Sequence, residues 1–412
     1  MKIGIYQEPS SGIGGSEFVA AVMARALRSQ GDVEIVHHRP TFGAAELEST
    51  FGLDLDGVRF RYVPKPEGDP IYPGGYLATA GRYWRRWNAA VSEPYDLFVA
   101  NVHGVPPHCR APRGLLHVLF PTYDRTAKWP WGAPRPGVAG LRDRARKWVF
   151  ERGWQARLGS YQGRLAISAY TATWVNRYWG TDCRVLYPPV LLDAPPERKG
   201  RALVSLSRFT DHKQQADILR AFTRGISPHA PGWELVLVGG LSERSEDVAH
   251  LADLRKAAAG FPVRFVVNAS RSEIRAELGR ATIFCHAMGL GADDTTEPWR
   301  VEHFGIATVE AMAAGCVPVV PDCGGQAEIV RHGESGFTCR NADEMAGRVL
   351  ELIREPAGTS RMAAAARERA REFGVDRFTE RFLAEVATLG VASDNPPMQP
   401  AVRTRGRPHR VP

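Results

Sequence analysis

Short β-rich runs alternate with helical patterns along nearly the whole chain, and this alternation restricts the fold more than any other feature. KIGIY leads into a glycine-rich loop and a helical stretch, EFVAAVMARALRSQG, after which VEIVHH, VRFRYV, DLFVAN, LLHVLF and RLAIS read as strands. Strand, loop, helix and strand in that order is the pattern of a parallel sheet covered by helices on both faces. At YPPVLLDAPPERKG (187–200) four prolines and the loss of periodicity mark a linker. The alternation then restarts: RALVSLS, a helix from Lys213, WELVLVG, a helix over 245–259, VRFVVN, ATIFCHA, a helix after Phe304, and VPVVP. Helical segments at 341–354, 357–372 and 375–389 follow. The expected class is α/β, with two doubly wound, Rossmann-like domains facing across a cleft. Ligands of open α/β sheets bind at the carboxyl ends of the strands, which places a site in that cleft.

A chain of 412 residues suits two domains rather than one core. No apolar run is long enough to span a bilayer. MKIGIYQEP reads as a strand at once and lacks the build of a signal peptide, so a cytoplasmic location is expected. Six cysteines are scattered singly, as expected of reduced residues in a cytosolic protein. Part of the net charge of +8 is local, because Arg403, Arg405, Arg407 and Arg410 sit in a Pro-rich tail expected to stay unfolded. The remaining excess suits phosphate ligands or an anionic membrane surface, and net charge does not choose between them.

Three stretches offer chemistry. In SSGIGGSE, Gly12, Gly14 and Gly15 follow a strand and open a helix, so backbone N–H groups can approach an anion. A dinucleotide fingerprint would need a third glycine where Glu17 stands and an acid where His37 and His38 end the second strand. Both tests fail, which weakens a dehydrogenase reading; a plain glycine turn stays open. In SLSRFTDHK, Arg208 and Lys213 bracket the start of a helix, where two cations could clamp a diphosphate or simply be solvated. In EHFGIATVEAM, Gly305 permits close backbone approach, Glu302 precedes the helix, and Glu310 lies about one turn into it. A carboxylate accepts two hydrogen bonds side by side, which fits a vicinal diol. A sugar nucleotide carries two such diols with a diphosphate between them. An ordinary first-turn acid would explain Glu310 but not Glu302 or the two cations.

EHFGIATVEAMAAGCVPVVPDCGGQAEIV resembles the E-x7-E motif of glycosyltransferase family 4, retaining enzymes of the GT-B fold. GIGGSE resembles that family's N-terminal glycine loop, SRFTDHK its phosphate-binding Arg/Lys site, and HAMGLG…EPWRVEHFG its donor-sugar loop. The HAxGxG…EHFG variant is similar to that of dolichol-pathway mannosyltransferases, with a weaker likeness in the N-terminal half. The resemblance implies that Glu302 holds donor-sugar hydroxyls and Glu310 the ribose diol. Arg208 and Lys213 would neutralise the diphosphate, with amides at Gly14, Gly15, Phe304, Gly305 and Ile306 completing the cradle. The family often places a histidine near the end of the fourth N-domain strand, where Leu119 stands here. His117, two residues earlier on the same face, and His103 are the candidate catalytic histidines, against the commoner structural role of a lone strand histidine.

The resemblance also divides the chain into an acceptor domain at 1–190, a nucleotide-sugar donor domain at 191–374, a helix at 375–390 crossing back, and a disordered basic tail at 391–412. The implied activity is retaining transfer of a hexose from a GDP- or UDP-linked donor, such as GDP-mannose, to an acceptor hydroxyl. The acceptor would be a glycan, a lipid-linked sugar or a small molecule; no nucleic acid is expected. No cofactor or metal is expected, because two cations already face the diphosphate. RYWRRWNAA, KWPWGAPRPG and the 142–159 segment mix tryptophan with arginine, which suits a peripheral membrane contact or helices with buried tryptophans. Buried tryptophans with solvated arginines are expected for 142–159. A sugar-nucleotide epimerase and a non-catalytic nucleotide-sugar-binding protein are the alternatives.

Overall fold

The computed structural model describes residues 1–8, 13–65, 86–124, 144, 148, 151–193 and 198–389. Gly12, the tail arginines and most of the tryptophan-rich stretches lie outside the described residues.

The first domain is built on seven parallel strands: β1 (Lys2–Gln7), β2 (Asp32–His37), β3 (Arg59–Tyr62), β4 (Leu97–Val102), β5 (Arg113–Val118), β6 (Gly163–Ala166) and β7 (Arg184–Val185). Their order is β3-β2-β1-β4-β5-β6-β7. The second domain repeats the plan with six: β8 (Ala202–Leu206), β9 (Glu234–Gly239), β10 (Val263–Val267), β11 (Ile283–Cys285), β12 (Val317–Pro321) and β13 (Phe337–Cys339), in the order β10-β9-β8-β11-β12-β13. Each order reverses direction once, between β1 and β4 and between β8 and β11, which creates a crevice at the carboxyl ends of those strands. The central strands are apolar on both faces because helices cover both; every residue of β4 and β12 is buried.

The helix Gly15–Leu27 is nearly as buried as a strand. Its alanines let it lie between the sheet and the last helix, Val375–Thr388, whose Phe378, Phe382 and Val386 belong to the same core. That last helix is therefore part of the first domain's packing, although it follows the second in sequence. The two segments that join the domains touch: Val190 N donates to Phe373 O at 2.9 Å. The sequence reading of 142–159 needs correction. Trp154 is 2% exposed and Trp148 58% exposed, and the Arg152 guanidinium lies 4.7 Å over the Trp148 ring. One tryptophan packs into the core; the other stands in solvent under an arginine.

Candidate functional site

The crevices of the two sheets face each other and form one cleft of about 470 Å³. Gly14, Gly15, His103, Arg208, Lys213, Glu302, Phe304, Gly305, Ile306 and Glu310 all line it. His117 does not, and it is 0% exposed.

From the second domain, β8 ends at Leu206 and delivers Arg208 to the cleft. Lys213 closes a single 3-10 turn at Asp211–Lys213, and Gln214 at φ 54° separates that turn from the helix Gln215–Arg220. The helix expected from Lys213 thus begins two residues later, which turns the lysine inward. Its Nζ lies 2.7 Å from Glu302 Oε2 and 3.2 Å from Met288 Sδ. His286 Nε2 lies 3.2 Å from the same glutamate oxygen. Burial works to raise the Glu302 carboxyl, but Lys213 and His286 outweigh it and hold it well below the ordinary carboxylate value. Among the described residues Arg208 is exposed and has no ion-pair partner, so its guanidinium is free to meet an anion.

Gly305 caps the helix Ile306–Ala313 with φ 119° and no side-chain cap. A Cβ there would stand 2.7 Å from the Gln326 amide, so glycine is needed for both conformation and space. Thr308 N donates to Gly305 O at 3.1 Å, so the N–H groups of Ile306 and Ala307, which line the cleft, are the ones left for a ligand. Glu310 Oε1 accepts from Arg271 Nη1 at 2.5 Å. Burial raises the Glu310 carboxyl above its ordinary value and Asp193 adds to this, while Arg271 offsets part of it.

From the first domain, the glycine loop meets this helix directly: a Cβ on Gly15 would lie 2.6 Å from Ile306 Cδ1. The two helix N-termini therefore face one space. Gly14 needs correction as a ligand-binding amide, because its N–H already donates to Glu17 Oε2 at 3.0 Å. Glu17, the residue that breaks the dinucleotide fingerprint, anchors the loop from beneath. Gln7 Nε2 donates to Glu17 Oε1 at 3.3 Å, Asn101 Nδ2 to Gln7 Oε1 at 2.8 Å, and His117 Nδ1 to Asn101 Oδ1 at 2.8 Å.

His117 is therefore corrected from a catalytic candidate to the far end of a buried chain that supports the loop. His103 remains at the cleft, fixed by Glu8, whose Oε2 accepts the His103 and Gly104 N–H groups at 2.5 and 2.8 Å. His103 keeps an exposed edge, and the partial loss of solvent around the rest of the ring lowers its pKa, with Glu8 and Glu17 pulling it upward.

Three side chains that line the cleft, His286, Arg271 and His303, carried no role in the sequence motifs. His286 lay inside the quoted HAMGLG without a role, and Arg271 opens a helix that no motif covers. His303 stacks on Phe120 of the first domain, with centroids 3.6 Å apart and planes 1° from parallel. The domains are also joined by Glu328, whose carboxylate accepts from Ala169 N, Tyr170 N and Tyr187 Oη at 2.9, 2.7 and 3.0 Å. Asp54 and Asp56 have an Asp-x-Asp spacing, but both are exposed and outside the cleft, with Asp54 paired to Arg28.

A pH dependence follows. Burial pushes His117 and His303 down from 6.5 to about 4, so both are neutral when folded. The unfolded chain binds those protons first, so stability present above pH 6.5 is lost as pH falls towards about 4. Urea melts across that window are expected to show a falling midpoint, and the His117→Asn variant a shallower fall.

Residues 193–372 match the family description "Glycosyl transferases group 1". The chain is 26% identical over 255 residues to the GDP-Man:Man(3)GlcNAc(2)-PP-Dol alpha-1,2-mannosyltransferase of Dictyostelium discoideum, covering 56% of this chain and 48% of that one. It is 25% identical over 342 residues to the phosphatidyl-myo-inositol mannosyltransferase of Mycobacterium leprae, covering 77% and 84%. The chain spans about half the length of the first of these. Among solved structures, Anabaena HepE in complex with UDP and glucose superposes with a TM-score of 0.65 at 17% identity, over 94% of this chain and 100% of that one. The chain has the GT-B fold of glycosyltransferases, and its second domain carries the group 1 glycosyl transferase match.

Proposed function

We propose that the protein is a retaining glycosyltransferase that moves a hexose from a GDP- or UDP-linked donor to an acceptor hydroxyl. One observation carries this reading: a single cleft gathers Arg208, Lys213, two helix N-termini, Glu302 and Glu310, the partners a nucleoside-diphosphate sugar needs. The diphosphate lies against Arg208, Lys213 and the amides at 304–306. Glu310 takes the ribose diol and Glu302 the hexose hydroxyls. As the bond from the anomeric carbon to the diphosphate oxygen breaks, the negative charge on the leaving oxygen grows beside the two cations. The acceptor hydroxyl attacks the same face, and its proton passes to the departing diphosphate. Positive charge on the sugar ring develops beside Glu302, which is already held ionised. No metal is needed for this step, since Arg208 and Lys213 supply the charge.

The names of the relatives support mannose as the hexose and a lipid-linked acceptor. We place the reaction in the cytoplasm, with peripheral membrane contact where the acceptor is lipid-linked. The free cysteines and the exposed Trp148 beside Arg152 suit that setting, and among the described residues no helix is long and apolar enough to cross a membrane.

Thermal shifts with a panel of UDP- and GDP-sugars test the donor half of this reading. One base is expected to raise the melting temperature, and no response to any member would refute it. Glu310→Ala is expected to weaken the responding nucleotide by about 2 kcal/mol in calorimetry, the scale of charge-assisted hydrogen bonds to one diol. Unchanged affinity would remove the ribose role.

A further inference from the structure

The carboxylate assigned to the ribose is not alone. Arg271 is the first residue of the helix Arg271–Arg280, whose start is fixed by a Ser270–Glu273 capping box. A cation in the first turn opposes the helix dipole, so its place there calls for a local compensation. Two acids from two other segments supply it. Nη1 donates to Glu310 Oε1 on the helix Ile306–Ala313, and Nη2 donates to Asp193 Oδ1 on the interdomain linker at 2.7 Å. Arg275 stands behind Asp193 at 3.7 Å. The planar fork aims one nitrogen at each carboxylate in a fixed geometry, which the rotatable ammonium of a lysine holds less rigidly. Arg271 and Glu310 both line the cleft. Among the described residues the second oxygen of Glu310 has no hydrogen-bond partner, so it is open to a ligand.

We propose that Arg271 is a positioning residue for the nucleoside end of the donor, holding the Glu310 carboxylate in orientation and tying both to the linker through Asp193. This rests on the donor-site reading above. Arg271 acts through Glu310 and not by touching the ligand. The groups facing the Glu310 carboxyl are Arg271, which favours its charge, and Asp193, which opposes it. Without the guanidinium, burial and Asp193 act on Glu310 unopposed. Its proton is then held to a higher pH, and a protonated carboxyl grips a diol less well.

Calorimetric titration with UDP and with GDP, from about pH 5 to pH 8, tests this on wild type, Arg271→Ala, Arg271→Lys, Glu310→Ala and the Arg271→Ala/Glu310→Ala double variant. For the nucleotide that binds, Arg271→Ala is expected to weaken affinity roughly tenfold near neutrality, with the acid-side loss of binding moved to higher pH. Arg271→Lys restores part of the loss. In the Glu310→Ala background, Arg271→Ala costs nothing further. Asp193→Asn gives a smaller loss in the same direction, and no loss would overturn the linker's part.

An equal penalty for Arg271→Ala with and without Glu310 would mean that Arg271 touches the nucleotide itself, and the inference would be wrong. A lowered melting temperature with unchanged affinity and an unmoved pH profile would make the arginine a structural tie, which also overturns it. Binding of neither nucleotide to wild type would sink the donor-site reading first and the inference with it, a result distinct from the other two.

Discussion

Alanine at either Arg208 or Lys213 is expected to lower turnover by roughly a hundredfold to a thousandfold while the fold survives, since removing one preorganised charge partner of a leaving group typically costs about 10²- to 10³-fold. The two cations contribute differently. Arg208 is exposed and unpaired among the described residues, so Arg208→Ala removes a ligand contact and little else. Lys213 also neutralises Glu302 at 2.7 Å. Lys213→Ala therefore leaves a largely buried carboxylate supported only by His286, and burial then drives its pKa upward. Activity of Lys213→Ala is expected to fall off at a higher pH than that of Arg208→Ala. Chelator is expected to change neither wild type nor variants. Stimulation by magnesium, with loss on chelation, would show instead that a metal supplies the missing Lewis acid.

Glu302→Gln is expected to lower turnover by roughly a hundredfold with a much smaller change in donor affinity, because its charge would matter most once the sugar ring becomes positive. The amide keeps the hydrogen-bonding shape and removes the charge, so the comparison isolates electrostatics. It also leaves Lys213 without its counter-ion, which frees that lysine for the diphosphate and helps to preserve ground-state binding. A raised donor KM with turnover intact would reduce Glu302 to uniform binding.

The period of the hydrophobic pattern made the sheets legible, since strands covered on both faces must read as short apolar runs. The gap between the two sheets, from Val185 at the end of β7 to Ala202 at the start of β8, coincides with a stretch, 187–200, whose four prolines argue against a continued helix. That Glu302 and Glu310 reach one cleft could be read because a single loop runs straight into a single helix between them. Arg271 could not: its partners lie 39 and 78 residues away, and nothing local distinguishes it from a surface arginine. His117 was misread for a related reason. Strand alternation gives the face of a side chain but not its depth, and the chain through Asn101 and Gln7 exists only once three strands are aligned. Trp148 and Trp154 differ in burial although composition treats them alike. The stacking of His303 on Phe120 joins two domains, and such contacts leave no periodic trace in either.

On the proposed function, a hexose leaves its nucleotide and forms a new glycosidic bond with its anomeric configuration kept. The most direct measurement is incubation of the wild-type protein with the nucleotide sugar that stabilises it, together with a lipid extract and simple glycoside acceptors. Mass spectrometry then follows the nucleotide and the sugar, and NMR the anomeric centre of any product. Release of nucleoside diphosphate with a new glycoside of retained configuration is the expected result, abolished by Arg208→Ala/Lys213→Ala. An altered hexose still joined to its nucleotide would identify an epimerase and contradict the account.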